Sequence, residues 1–526
     1  MKRILLSALA VCTALLCSIS CNKQAPFEAL DPTLPEVEEG TVNIHPAEIT
    51  TVKILLNDVR GCKVTAKVTS ENEDFATEAV MSDNCEICIV SVTAPIFIYK
   101  EQPFKVTVQF TEEANSRTAE TSFTVKPIDT EFIVCGEAAN CFQVPTNSIV
   151  LFPTQKGNTE EKVAFKTIEL LWQDNPGLFD QIWYSDAAEG TAIVGFGDEK
   201  EGNAVLAAKD ASGKVLWSWH FWVCADEIKD VVVGGVTFMD RNIGATIAQP
   251  KYEGKIITAT TGLIYQWGRK DPFAPAETLD GFRTIYDKDG KEITFTDKDG
   301  KEATAKIAAC EVADNIQNAI ENPDTWYNNV YPVSQGNYSW ITNNVETVDK
   351  DKVAKLWDNN GTKTEYDPCP AGYKVAAQSD WAAAIGTTEA PTAYTEIFDD
   401  KYAPAQEVLD KWKSQSSGKY YDQYLKQSQF RGAKLGDMYV IGSGEVAHQH
   451  TLSNTFGGSS QNVVSTIWSG TADPNIGTVT AKSATYFRAY AVKLSYSYSS
   501  NKATFNAKNP LNFAYGQPVR CVKVAK

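Results

Sequence analysis

From about residue 37 the chain alternates apolar and polar positions in short runs. They are 51–59 (TVKILLNDV), 62–70 (CKVTAKVTS), 85–94 (CEICIVSVTA), 104–110 (FKVTVQF) and 121–128 (TSFTVKPI). Period-two runs separated by turn residues predict half-buried strands, and their number predicts a β-sandwich (Ig-like) module over 37–129. A second β-sandwich-like module is predicted over 130–228, from 139–145 (ANCFQVP), 148–153 (SIVLFP), 167–173 (TIELLWQ) and 191–227. Asp210-Ala-Ser-Gly213 reads as a hairpin turn between two apolar strands. In WSWHFWV, Trp217, Trp219, Phe221 and Val223 share one face, and Ser218, His220, Trp222 and then Cys224 share the other. A strand aromatic on both faces is expected to be buried, with His220 packed rather than catalytic.

The pattern changes at 229. Residues 229–526 are rich in Trp, Tyr, Gly and Asn, with long loops and helical patterning confined to 308–320, 379–386 and 403–413. An α+β domain is predicted there, so the fold class is mainly β with a C-terminal α+β domain. DKDGKE occurs at 287–292 and again at 297–302. Its Asp-Gly pairs read as turns, because the spacing does not fit a calcium loop.

With 526 residues the chain has room for about three domains. Its 49 basic against 66 acidic residues give a net charge of −17. That balance excludes a nucleic-acid partner, which needs a basic footprint. No zinc-protease, nucleophile-elbow, P-loop or dinucleotide motif occurs. Of the four histidines, His448 and His450 would share one strand face, but no third metal ligand follows by spacing.

The N-terminus carries an address. Lys2 and Arg3 precede a mostly apolar run, Ile4–Ile19, and small residues Ser18 and Ser20 stand before Cys21. This resembles a bacterial lipoprotein signal: residues 1–20 would be removed and Cys21 acylated, making a membrane the first partner. Residues 21–36, acidic and holding Pro26, Pro32 and Pro35, read as an extended tether. Nine cysteines then remain, an odd number, so at least one thiol is free. Cys85-Glu-Ile-Cys88 lies in a strand-like run, which favours a structural role over a redox one.

Five segments follow in order in the last block: 234–245 (GGVTFMDRNIGA), 262–273 (GLIYQWGRKDPF), 366–381 (YDPCPAGYKVAAQSDW), 466–471 (TIWSGT) and 516–523 (GQPVRCVK). The set resembles the Fibrobacter succinogenes major paralogous domain of Bacteroidales surface proteins, a family that looks like a variant of the C-type-lectin-like fold. The resemblance implies a C-type-lectin-like domain over 229–526. A Cys369–Cys521 bridge is the expected pairing; it would close a loop of about 150 residues. Lys374-Val375-Ala376 stands where the family has His-Leu-Pro, a departure expected to loosen the local turn.

The lectin likeness raises two site readings. Asp358, Asn359 and Asn360, with Asp473 and Asn475, are oxygen-bearing candidates for calcium, although polar Asp/Asn loops are commonly plain turns. Trp326, Tyr327, Trp340 and Trp357 could offer ring faces to a glycan or a surface protein, or could form the core of their insertion. The leading function is a lipid-anchored, outer-membrane binding or adhesion protein, with the fimbria association that the resemblance implies. A glycan-binding lipoprotein of a polysaccharide-uptake system is the alternative, and an exported hydrolase the third.

Overall fold

The computed structural model describes residues 35–524, excepting 57–58, 60–61, 115, 198–199, 249–257, 276–281, 297–299, 301, 304, 329–338, 344–346, 360, 388–391, 394–431, 442–444, 447–451, 454–461, 477–486 and 498–501. The leader, Cys21, most of the tether, Asn360, His448, His450 and the helix expected over 403–413 lie outside the described residues. The chain divides into two compact units, 1–131 and 132–526.

The first unit is a sandwich of two four-stranded sheets. One is ordered Pro35–Val37, Ile49–Leu56, Ile87–Thr93, Ala76–Met81; the other Thr41–Ile44, Thr118–Pro127, Phe104–Glu112, Val64–Ser70. Along Phe104–Glu112 the side chains of Phe104, Val106, Val108 and Phe110 are buried while their neighbours are not. Ile49–Leu56 and Ile87–Thr93 supply Val52, Ile54, Cys88, Val90 and Val92 to the same core. Strict alternation fixes register here, because a one-residue slip would move each strand's apolar set to water.

The second unit begins with a sheet ordered Cys141–Val144, Val215–Val223, Gly202–Lys209, Thr167–Gln173, Ile285–Tyr286, Glu292–Ile293. It also holds a sheet ordered Phe179–Asp186, Thr191–Phe196, Ile149–Pro153, Ile133–Val134. Phe221 meets Phe142, Phe152 and Phe196 at ring-centroid distances of 5.4, 4.9 and 5.2 Å, which closes the space between these sheets. The last two strands of the first sheet come from beyond residue 229, and Tyr286 pairs with Gln173. Asp287 closes the turn between them, its carboxylate accepting the Asp289 and Lys291 N–H groups at 2.9 Å each. The first DKDGKE copy is therefore the expected hairpin.

One apolar cluster runs from Ala139 to Cys521. The boundary expected at 229 is thus not a boundary between compact units. The reason lies in the Val215–Val223 strand, whose second face is also buried. Trp222 Nε1 donates to Ala245 O at 3.0 Å, and Ser218 Oγ reaches Asp271 Oδ1 at 2.5 Å. Burying a large apolar side chain contributes about 1.5–3 kcal/mol, so a strand with two such faces needs a layer on each side. The segment after 229 supplies the second layer.

The C-terminal part adds a sheet ordered Asp230–Val233, Val236–Met239, Cys521–Lys523, Tyr373–Val375. It also adds an antiparallel meander of Asn462–Ala472, Arg488–Ser497 and Lys502–Asn512. Short helices occur at Ile316–Glu321, Lys350–Ala354 and Gln378–Thr387; the second was not foreseen. Among the described cysteines, Cys369 and Cys521 form a disulfide with a Cα–Cα distance of 6.0 Å, while Cys85, Cys88, Cys135, Cys141, Cys224 and Cys310 are unbridged thiols. The turn at Cys369 is not loose. Buried Asp367 accepts the Cys369 N–H on Oδ1 at 2.8 Å and the Val375 N–H on Oδ2 at 2.9 Å, and Lys363 Nζ lies 3.0 Å from Oδ1.

Candidate functional site

Three of the four candidate aromatic residues are fully interior: Trp326 and Trp357 are 0% exposed and Trp340 1%. Tyr327 is also buried. They do not form an exposed platform. Tyr327 and Trp340 surround the guanidinium of Arg269, with Phe273 on a further side, at centroid distances of 5.9, 5.6 and 5.0 Å. Arg269 donates to Thr325 O at 2.6 Å and to Gln266 Oε1 at 3.1 Å. Burial lowers its pKa to about 10, and the nearby charge of Asp271 opposes that shift. Trp357 Nε1 donates to Arg269 O at 3.1 Å, and Trp340 Nε1 to Trp267 O at 2.7 Å. Tyr327 and Trp340 thus flank a buried cation, where cation–π attraction is strongest because water is excluded.

Among the described oxygen-rich candidates, Asp358 and Asp473 are each engaged by local partners. Asp473 Oδ1 accepts from the backbone and the side-chain nitrogen of Asn475 at 3.0 Å each, a local turn. Asp358 caps Gly361 N at 2.7 Å and lies 3.5 Å from Lys374 Nζ. No group of three or more His, Cys, Asp or Glu side chains is arranged to hold a metal among the described residues. Burial makes three thiols poor nucleophiles, pushing Cys88, Cys224 and Cys310 up to about 12. Cys88 points into the core of the first unit, which fits a packing role for the Cys85–Cys88 pair.

Polar chemistry instead gathers at an open cavity of about 260 Å3 in the second unit. Its walls include Asp174, Glu201, Arg283 and Tyr286, with the Gly202 and Gly244 backbone between them. Asp174 follows the Thr167–Gln173 strand, and Arg283 precedes the Ile285–Tyr286 strand beside it, which brings their side chains together. Arg283 Nη1 donates to Asp174 Oδ2 at 2.9 Å, and both side chains are largely buried. Asp174 Oδ1 accepts Asn203 N at 2.6 Å, and Oδ2 accepts Asn203 Nδ2 at 2.8 Å. Gly202 has φ +150°, and a Cβ there would meet Asp174 Oδ1 at 2.4 Å. Only glycine fits that close approach.

The network continues inward. Asn203 Nδ2 also donates to Gly244 O at 3.0 Å, so its Oδ1 must accept, and His220 Nε2 lies 2.9 Å from that oxygen. His220 is therefore the neutral Nε2–H tautomer. Burial pulls its pKa down to about 3, and Nδ1 has no hydrogen-bond partner among the described residues. As expected, it is a packed histidine. Beside it, Lys270 Nζ donates to Ser218 O at 3.1 Å and Asp271 Oδ1 at 2.6 Å, and its ammonium sits 4.6 Å from the Trp217 ring centre. This Ser-Lys-Asp group is sealed from solvent, with exposures of 1, 3 and 4%. It pins the C-terminal layer to the strand.

Sequence reasoning missed the cavity. Asp174 and Arg283 are 109 positions apart and belong to blocks read as separate domains. The available signal was the doubly apolar 217–223 strand, which required a covering layer.

No protein-family model and no curated protein matches the chain. Among solved structures, the human desmocollin-1 ectodomain is similar at 14% identity and TM-score 0.18, with 39% of this chain and 45% of that chain covered. A tandem Ig pair of titin gives 12% identity and TM-score 0.15, covering 36% and 96%. Chitinase ChiW from Paenibacillus gives 21% identity and TM-score 0.15, covering 21% and 10%. The chain spans less than half of the desmocollin ectodomain. These likenesses to β-rich and Ig-like proteins are weak and carry no argument about function.

Proposed function

We propose that this chain is an exported, lipid-anchored bacterial surface protein whose 132–526 unit binds an extracellular ligand. The observation that carries the reading is the buried Cys369–Cys521 disulfide. Such bonds persist in oxidising compartments and are rare in reducing ones. The leader ending at Cys21, the acidic tether and the net charge of −17 support the same address. The five ordered segments support a C-type-lectin-like identity for 229–526, here fused to the β-layers before it. Binding or adhesion is the leading role; uptake of polysaccharide is the second, favoured by the carboxylate and hydroxyl hydrogen-bonding groups that line the 260 Å3 cavity.

Labelled palmitate fed to cells producing the full chain tests the anchor. Label on the parent and none on Cys21→Ser, with the variant released from the membrane fraction, is the expected result. An unlabelled parent found in the cytosol overturns both anchor and export.

A further inference from the structure

We infer that the cavity between Asp174, Glu201, Arg283 and Tyr286 is a binding site for one uncharged sugar ring. This deepens the binding-protein reading above and rests on it. The argument is one of size, charge and hydrogen-bond type. At 260 Å3 the space falls just below the roughly 300–1,000 Å3 of sites that take drug-sized ligands, so it suits a single small ring.

Charge narrows the class. Asp174 and Glu201 place two carboxylates on the wall against one guanidinium, and Arg283 is already engaged by Asp174. A phosphate or carboxylate ligand would meet net negative charge in the cavity and on a chain of −17. A metal ion would have to displace the Arg283–Asp174 contact. A neutral polyol faces neither cost.

The hydrogen-bonding groups match hydroxyls. Asp174 receives three donors, from Asn203 N, Asn203 Nδ2 and Arg283 Nη1, against about four lone-pair sites on a carboxylate, which leaves acceptor capacity toward the cavity. Glu201 Oε1 is held by Ala225 N at 2.8 Å, which fixes the carboxylate in place. Thr246 and Thr284 add hydroxyls that both donate and accept. Tyr286, half-buried on its short strand, supplies one aromatic ring to the wall, a surface suited to the C–H face of a sugar. The wall is preorganised, since Asp174, Asn203, Arg283 and the Gly202 backbone hold one another before any ligand arrives.

The test uses the full mature chain and saturation-transfer NMR with the methyl glycosides of glucose, galactose, mannose, N-acetylglucosamine and fucose, plus inorganic phosphate as the anionic probe. Each is supplied to ~20 mM, where a Kd of about 1 mM gives near-complete occupancy. We expect at least one glycoside to bind, phosphate not to compete, and Tyr286→Ala and Glu201→Gln each to weaken binding five-fold or more. Thr284→Val is a second wall variant that spares the Asp174–Arg283 pair, and it should weaken the same glycoside. Unchanged tryptophan emission shows which variants are folded. No glycoside bound, phosphate bound in preference, or glycoside binding unmoved in all three folded variants each overturns the inference. Palmitate labelling at Cys21 is a separate readout, so failure of the sugar site leaves a signature distinct from failure of the anchored-protein reading.

Discussion

Replacing Cys369 and Cys521 together with alanine should destabilise the second unit by about 5 kcal/mol. The bond spans 152 positions. The chain-entropy relation for a loop of that length gives about 17 cal/mol/K, or ~5 kcal/mol at 25 °C. Both partners are completely buried, so loss of the sulfur atoms also leaves small voids that act in the same direction. The assay is built into the composition. All 12 tryptophans lie within 132–526, so intrinsic fluorescence during urea unfolding reports that unit and not the N-terminal sandwich. Linear extrapolation of the two transitions gives the difference. An oxidised parent and a double variant whose unfolding free energies agree within about 1 kcal/mol would refute the reasoning, since the bond would then constrain nothing that unfolding releases.

Three further outcomes follow from buried side chains of the second unit. His220 has a folded pKa of about 3 against about 6.5 unfolded, so between those values the unfolded chain binds more protons and stability rises with pH. Lowering pH from 7 to 5 should cost the second unit about 2 kcal/mol through this residue, and His220→Gln should flatten that slope in urea titrations at each pH. Lys270→Met should cost about 3–5 kcal/mol by stranding the Asp271 charge, whereas adding Asp271→Asn should recover part of the loss; equal losses in the single and double variants would contradict the ion-pair account. Trp357→Ala should cost about 3–5 kcal/mol as a core deletion, read from the same urea transition; a folded variant of parental stability would place the ring outside the core.

Much of this was legible in the chain itself. Period-two alternation in 104–110 and its neighbours determined strands, faces and register for the first unit, because each strand there has one wet and one dry side. The Asp-Gly spacing at 287–292 determined a turn, because few residues accept that backbone path. The Cys369–Cys521 pairing came from likeness to a family, and the structure contains it.

Tertiary structure alone decided the rest. Whether the rings of Trp326, Trp340 and Trp357 face solvent or core depends on what packs against them; composition is the same in either case, and Phe273, the Arg269 guanidinium and Trp267 respectively pack against them in the interior. The division of the chain was likewise decided by contact: the strand at 217–223 has no wet side, so the residues after 229 had to cover it. The cavity between Asp174 and Arg283 exists only because two adjacent strands, far apart along the chain, end at the same edge. Local pattern records how a segment meets water, and it does not record which distant segment takes water's place.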